Sequence, residues 1–130
     1  MHTVIACLLV VFVMPIVCSW VGGYFRAKQP EGFDNKHPRL QVARLEGAGH
    51  RAYAAQQNCW EALGMFTAAL VAVRMSGMAL DVIATLCVAF VVARVVFVAC
   101  YLANIDAARS LSFLVSFGIC ITLFYKALTF

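Results

Sequence analysis

Hydrophobic residues are gathered into four long runs along the chain, separated by shorter polar stretches. Three of these runs cover residues 3–25, 79–103 and 110–130, and another begins among polar residues and continues to residue 75. A helix needs about 20 mostly apolar residues to cross the hydrocarbon core of a bilayer. The pattern therefore predicts a single all-α domain, residues 1–130, built as an integral membrane four-helix bundle.

The second predicted helix, residues 39–75, differs from the others because its first half is polar. It follows Pro38, which suits the first position of a helix because its missing N–H has no partner there. Residues 39–73 contain no proline. At 1.5 Å per residue, about 35 residues would extend on the order of 50 Å, well beyond a roughly 30 Å core. We expect one continuous helix whose start projects into the cytoplasm.

Composition and charge agree with a membrane protein and add an orientation. Hydrophobic residues make up 64% of the chain and charged residues only 12%, which excludes an ordinary soluble domain. Between the second and third runs the only basic residue is Arg74, whereas the first polar segment holds Arg26, Lys28, Lys36, Arg39, Arg44 and Arg51. The positive-inside rule places this first loop in the cytoplasm and both termini outside. A net charge of +4 suits a membrane surface and gives no reason to expect nucleic acid.

A few polar residues lie within the apolar runs, where they are costly. Arg51, Asn58 and Glu61 are spaced to share nearly one face of the second helix. Ionised Glu61 cannot face lipid cheaply, so it is expected to point into the protein, and Arg94 has the same problem. We predict one buried cluster containing both, with Tyr101 on the face of Arg94. Spacing alone allows either a structural ion pair or a binding site.

Arg109 and Ser110 open the last predicted span at the cytoplasmic interface. One interpretation is an interfacial anchor, since arginine extends its charge to the lipid headgroups. The other is a site for an anion or a thiolate, formed by helix-start N–H groups, the guanidinium and the hydroxyl. The residues themselves leave both interpretations open.

The six cysteines all fall in apolar segments, without a C-x-x-C pair or a histidine at metal-ligand spacing. We therefore predict no metal site and expect these thiols to be inert packing residues. Only Cys59 and Cys100 lie near charged residues, so a redox role is the minor alternative.

The chain carries two motifs that resemble those of the MAPEG family, the membrane-associated proteins in eicosanoid and glutathione metabolism, and they occur in the order found in that family. The first runs from Arg51-Ala52 through Ala55-Gln56-Gln57-Asn58 to Glu61, and the second comprises Arg94, Tyr101-Leu102 and Arg109-Ser110-Leu111-Ser112-Phe113. The resemblance implies glutathione as co-substrate. It assigns binding to Arg51, Asn58, Glu61, Arg94 and Tyr101, and stabilisation of the glutathione thiolate to Arg109 with Ser110.

The chain departs from the family at Ala54, where several members carry an arginine that binds a glutathione carboxylate. Arg51, one turn earlier, is the candidate to replace it. This departure concerns glutathione affinity more than the fold.

The resemblance further implies a homotrimer in a bacterial inner membrane, with three equivalent sites between subunits near the cytoplasmic side. The implied function is a glutathione-dependent transferase or peroxidase acting on apolar electrophiles or lipid hydroperoxides from the bilayer. The alternative is a non-catalytic protein of the same fold that binds membrane lipids. A transporter is disfavoured because the chain has no inverted repeat and no interrupted spans.

Overall fold

The computed structural model describes residues 1–130 and contains only helices. These are α1 (His2–Ala27), α2 (Pro38–Ala43), α3 (Gly47–Met75), a short 3-10 helix (Leu80–Ile83), α4 (Ala84–Leu102) and α5 (Asp106–Thr129). No peptide bond is cis. The all-α prediction is confirmed.

Three helical segments are long and apolar enough to cross a membrane: α1, the segment Leu80–Leu102 and α5. They correspond to the runs at residues 3–25, 79–103 and 110–130, although α5 begins four residues earlier than predicted, at Asp106. The remaining long helix, α3, has 29 residues but is more polar and is not among them. The chain is therefore an integral membrane protein, with three of the four predicted spans supported by length and hydropathy.

The prediction of one continuous helix over residues 39–75 is wrong. Helix α2 ends at Ala43, and α3 begins only at Gly47, whose φ of +56° is left-handed and unstrained only for glycine. Between them the side chain of Leu45 is buried. A Cβ at position 49 would lie 3.0 Å from the Cβ of Phe25, so Gly49 permits close approach to α1. The chain bends here because Leu45 packs inward and the two glycines allow it.

The first polar loop forms an ordered cap over the end of α1. The buried side chain of Gln41 accepts hydrogen bonds from Arg26 Nε at 2.9 Å and from the backbone N–H of Asp34 at 3.1 Å. It also donates to the carbonyl of Gly32 at 2.6 Å. The Arg26 guanidinium lies 4.0 Å from the ring centroid of Phe33. These contacts hold α2 against the end of the first span.

Asp34 shapes the turn that leads into α2. Its carboxylate accepts the backbone N–H groups of His37 at 2.9 Å and Lys36 at 2.8 Å, and these bonds hold the pKa of Asp34 below its usual range. The stabilisation from this carboxylate is therefore present above its unfolded pKa and is lost as the pH falls through the lower folded value. Pro38 follows as the first residue of α2, as predicted.

The hydrophobic core fills one end of the helix bundle. Phe66 of α3 stacks on Phe90 of α4, with ring centroids 4.2 Å apart and planes within 5°. Val4, Ile83 and Leu123 bring the other helical segments into the same cluster. At this end the N-terminal amine of Met1 also contacts the carboxylate of Asp81. The polar residues of α3 and α4 lie towards the opposite end.

Candidate functional site

Arg94 is buried in the middle of α4, with 1% of its surface exposed. Its Nη2 donates to Asn58 Oδ1 at 2.7 Å, and its Cζ lies 4.1 Å from the ring centroid of Phe97. Its Nη1 is buried without a hydrogen-bond partner, and Arg94 forms no salt bridge within the chain. Burying an uncompensated charge costs several kcal/mol. No acidic residue of the same chain therefore compensates the charge of Arg94.

Asn58 links Arg94 to Glu61. Its Nδ2 donates to Glu61 Oε2 at 3.2 Å, while its Oδ1 accepts from Arg94. The amide is thus held at both ends, since its oxygen can only accept and its nitrogen can only donate. The structural ion pair between Glu61 and Arg94 does not form. Glu61 is exposed in the single chain, and the donor that it meets there is the Asn58 amide.

A groove of about 410 Å³ lies beside this relay, where α3 and α4 meet the first turns of α5. The Arg109 guanidinium sits at its edge, with Cζ 4.5 Å from the ring centroid of Tyr101. Seven residues line the groove: Asn58, Phe97, Tyr101, Arg109, Ser110, Phe113 and Leu114. Four of the seven predicted site residues, namely Asn58, Tyr101, Arg109 and Ser110, therefore share one groove. Arg94 and Glu61 do not line it, but each is hydrogen-bonded to Asn58.

The helix-start N–H groups proposed for an anion site at Arg109 and Ser110 are not available. Because α5 begins at Asp106, the backbone N–H of Arg109 already donates to the carbonyl of Ile105 at 3.2 Å. In the first turn of the helix, the N–H of Ala107 donates to the carboxylate of Asp106 at 2.8 Å. Only the guanidinium of Arg109 and the hydroxyl of Ser110 remain to act on a ligand in the groove.

Arg51 is the one predicted binding residue that the single chain places elsewhere. Its Nε donates to the carbonyl of Leu102 at 3.3 Å, at the last residue of α4. A cation near the C-terminus of a helix pairs favourably with its unpaired carbonyls. Within one chain Arg51 therefore stabilises the end of α4 and does not line the groove.

The apolar wall of the groove contains residues that the sequence analysis did not assign. Phe113 and Leu114 follow Arg109 and Ser110 by four residues each, and Phe97 precedes Tyr101 by four. Residues four apart lie on one face of a helix, so this spacing was the available signal. The groove combines a cationic and hydroxyl edge with an aromatic wall, which fits a ligand that is polar at one end and apolar at the other.

The fold therefore defines an all-α integral membrane protein, with a groove of mixed polar and aromatic lining beside a buried cation. The family model described as the MAPEG family matches residues 3–129, nearly the whole chain. The protein is thus a member of the MAPEG family, which includes glutathione transferases and peroxidases as well as other members. Searches of curated proteins and of solved structures give no match.

Proposed function

We propose that the protein is a glutathione-dependent transferase or peroxidase acting on apolar electrophiles or lipid hydroperoxides from the bilayer. The observation that carries this proposal is the groove that joins Arg109 and Ser110 to the Arg94–Asn58–Glu61 relay. Glutathione is a tripeptide with two carboxylates, an ammonium group and a thiol. Glu61 offers a partner for the ammonium, and Asn58 and Tyr101 offer hydrogen bonds.

In this mechanism Arg109 stabilises the glutathione thiolate and Ser110 donates a hydrogen bond to it. A free thiol with a pKa near 8.5 is mostly protonated at neutral pH, and a neighbouring guanidinium can lower that value by a unit or more. Each unit corresponds to about 1.4 kcal/mol in favour of the thiolate. The position of Arg109 over the Tyr101 ring restrains its guanidinium at the edge of the groove.

The thiolate then attacks the apolar substrate. With an electrophile, a thioether bond forms and the leaving group departs. With a hydroperoxide, two glutathione molecules become the disulfide while the peroxide becomes an alcohol and water. The aromatic wall formed by Phe97 and Phe113 supplies an apolar surface next to the thiolate for the second substrate.

The test is a glutathione titration of the purified protein in detergent, followed by turnover with 1-chloro-2,4-dinitrobenzene and with cumene hydroperoxide. We expect saturable calorimetric binding at millimolar glutathione and a protein-dependent rate with at least one of the two substrates. S-methylglutathione, whose thiol is blocked, should bind without supporting turnover. The absence of both glutathione binding and turnover would overturn the proposal.

The exposed face of α3 supports a homotrimer. This face exposes Gln57 and Glu61, which are too polar to lie against lipid, and the small residues Gly64 and Ala68. Nothing lies within 4 Å of a Cβ built on Gly64, so nothing within the chain requires a glycine there. Small residues let membrane helices approach closely. We propose that α3 spans the membrane against neighbouring copies, with the first loop and the α4–α5 turn in the cytoplasm.

Gly64→Leu is therefore expected to break the trimer into smaller species. The larger side chain would keep neighbouring α3 helices apart, whereas it meets open space within its own chain. Native mass spectrometry of detergent-released protein measures the oligomer directly. Gly118→Leu in α5 is the matched control, because its position is equally open. A Gly64→Leu protein that stays trimeric would contradict this packing.

A second candidate function is lipid binding without catalysis, favoured by a wide apolar cleft between α1 and α4. The cleft has a volume of about 550 Å³, and all ten residues that line it are hydrophobic. An acyl chain fits this chemistry. At the position of Ala54 several family members carry an arginine that binds glutathione, so this chain lacks that cation. Lipid retained in native mass spectra without any glutathione turnover would favour this function. A delipidated protein that takes up no lipid would count against it.

A further inference from the structure

Cys18 of α1 and Cys59 of α3 lie side by side across the interface between their helices. Their exposed fractions are 1% and 2%, and they form a small buried cluster with Ala55. Both are free thiols. The two cysteines are about 40 residues apart in the sequence, and each lies in an apolar run. Neither their spacing nor a motif therefore predicts that they pair.

The guanidinium of Arg94 lies close to Cys59. Asn58, the residue before Cys59, holds one terminal nitrogen of Arg94, and the other, Nη1, is buried without a partner. A thiol reacts through its thiolate, and reactive cysteines lie beside cations. Cys87, by contrast, is buried in the apolar core with Val4, Phe66 and Phe90. The two kinds of buried thiol therefore differ in their electrostatic surroundings.

The apolar cleft between α1 and α4 reaches Cys18, one member of this pair. Cys18 itself lines the cleft, together with Val13, Met14 and Val17 of α1 and Val98 of α4. Both helices belong to segments long and apolar enough to span a membrane, so the cleft opens towards lipid. Its occupant should be a hydrocarbon chain, because every lining residue is hydrophobic. An oxidised acyl chain in the cleft would bring its functional group to Cys18, which packs against Cys59.

We propose that Cys18 and Cys59 form a dithiol that reduces organic hydroperoxides carried on acyl chains. This activity would belong to the protein's own thiols and would need no glutathione in the α3–α5 groove. Cys59, beside Arg94, attacks the terminal oxygen of the peroxide as a thiolate. The O–O bond breaks, the alkoxide takes up a proton and leaves as an alcohol, and Cys59 becomes a sulfenic acid.

The second thiol completes the reaction. Cys18 attacks the sulfenic sulfur, a disulfide forms and water leaves, so two thiols and one hydroperoxide give one disulfide, one alcohol and one water. Thiol–disulfide exchange with two equivalents of a low-molecular-weight thiol returns the dithiol. The disulfide would also join α1 to α3 close to Asn58.

The test uses the purified wild-type protein in detergent, without glutathione, treated with linoleic acid hydroperoxide. We expect the six free thiols to fall to four per chain, with one alcohol formed per chain. Mass spectrometry of a non-reducing digest should find Cys18 linked to Cys59. Hydrogen peroxide at equal concentration should react more slowly, because it gains nothing from the apolar cleft. Retention of all six thiols, or a disulfide between other cysteines, would overturn the proposal.

Single variants assign the two roles. Cys18→Ser should leave Cys59 as a sulfenic acid that dimedone traps, whereas Cys87→Ser, which removes a buried thiol outside the pair, should still form the disulfide. Loss of the disulfide in Cys87→Ser would overturn the assignment. Because this reaction is measured without glutathione, the dithiol and the proposed glutathione chemistry can fail independently.

Discussion

Replacing Arg109 with alanine is expected to lower kcat for glutathione conjugation by about 10- to 100-fold at neutral pH, with little change in the Kd for glutathione. The loss corresponds to about one to two pKa units of thiolate stabilisation that the guanidinium supplies at the groove edge. Asn58, Tyr101 and the relay behind them remain in place to hold the tripeptide. Steady-state kinetics beside calorimetric titration separate the two effects.

The pH profile gives this prediction a second readout. The rate of the wild type should rise with pH below neutrality, because its bound thiol ionises at lower pH. That of Arg109→Ala should rise only as the pH approaches the free-thiol value near 8.5. Arg74→Ala, which removes an exposed arginine at the far end of α3, is the matched control and should behave as wild type. An unchanged kcat in Arg109→Ala would exclude the proposed role.

Replacing Arg94 with methionine is expected to abolish most glutathione binding while the protein stays folded. Methionine is similar in length and carries no charge, and replacing buried charges by apolar groups is often neutral or stabilising by about 1–4 kcal/mol. Without the guanidinium, Asn58 loses the donor that fixes its oxygen. We expect Kd to rise by at least about tenfold, equivalent to 1.4 kcal/mol. Thermal unfolding in detergent should show an unchanged or raised Tm.

Asn58→Ala tests whether Arg94 acts through the amide. If the two residues form one unit, the double variant should lose little more affinity than either single variant, since residues in one hydrogen-bonded network are not additive. Additive losses would place Arg94 and Asn58 in separate contacts with the ligand. A lowered Tm with intact binding in Arg94→Met would identify Arg94 as structural.

Hydropathy alone was enough to predict three of the long helices of the fold. Residues 3–25, 79–103 and 110–130 could be read as spans because a run of about 20 apolar residues has few other uses. No proline marks the break between α2 and α3, so the sequence pattern predicts a continuous helix there. The real cause is a buried Leu45 between a tight turn and two glycines, and burial of one leucine depends on the position of α1.

The site was predictable as far as one helix determines it. Arg94 and Tyr101 share a face by spacing, and so do Arg109 and Phe113. The hydrogen-bonded chain from Glu61 through Asn58 to Arg94 was not predictable, because it depends on the position of α4 relative to α3 along their axes. The same holds for the bond from Arg51 to the carbonyl of Leu102, which joins residues 51 positions apart. Contacts between helices depend on tertiary packing that periodicity does not contain.

The most direct test is a titration of the purified protein with glutathione at neutral pH. The ultraviolet absorbance of the bound thiolate is recorded at each glutathione concentration. The wild type should show a thiolate signal that saturates with calorimetric binding, and Arg109→Ala should bind glutathione with a much weaker signal. Saturating calorimetric binding of glutathione by the wild type without a thiolate signal would contradict thiolate activation in this groove.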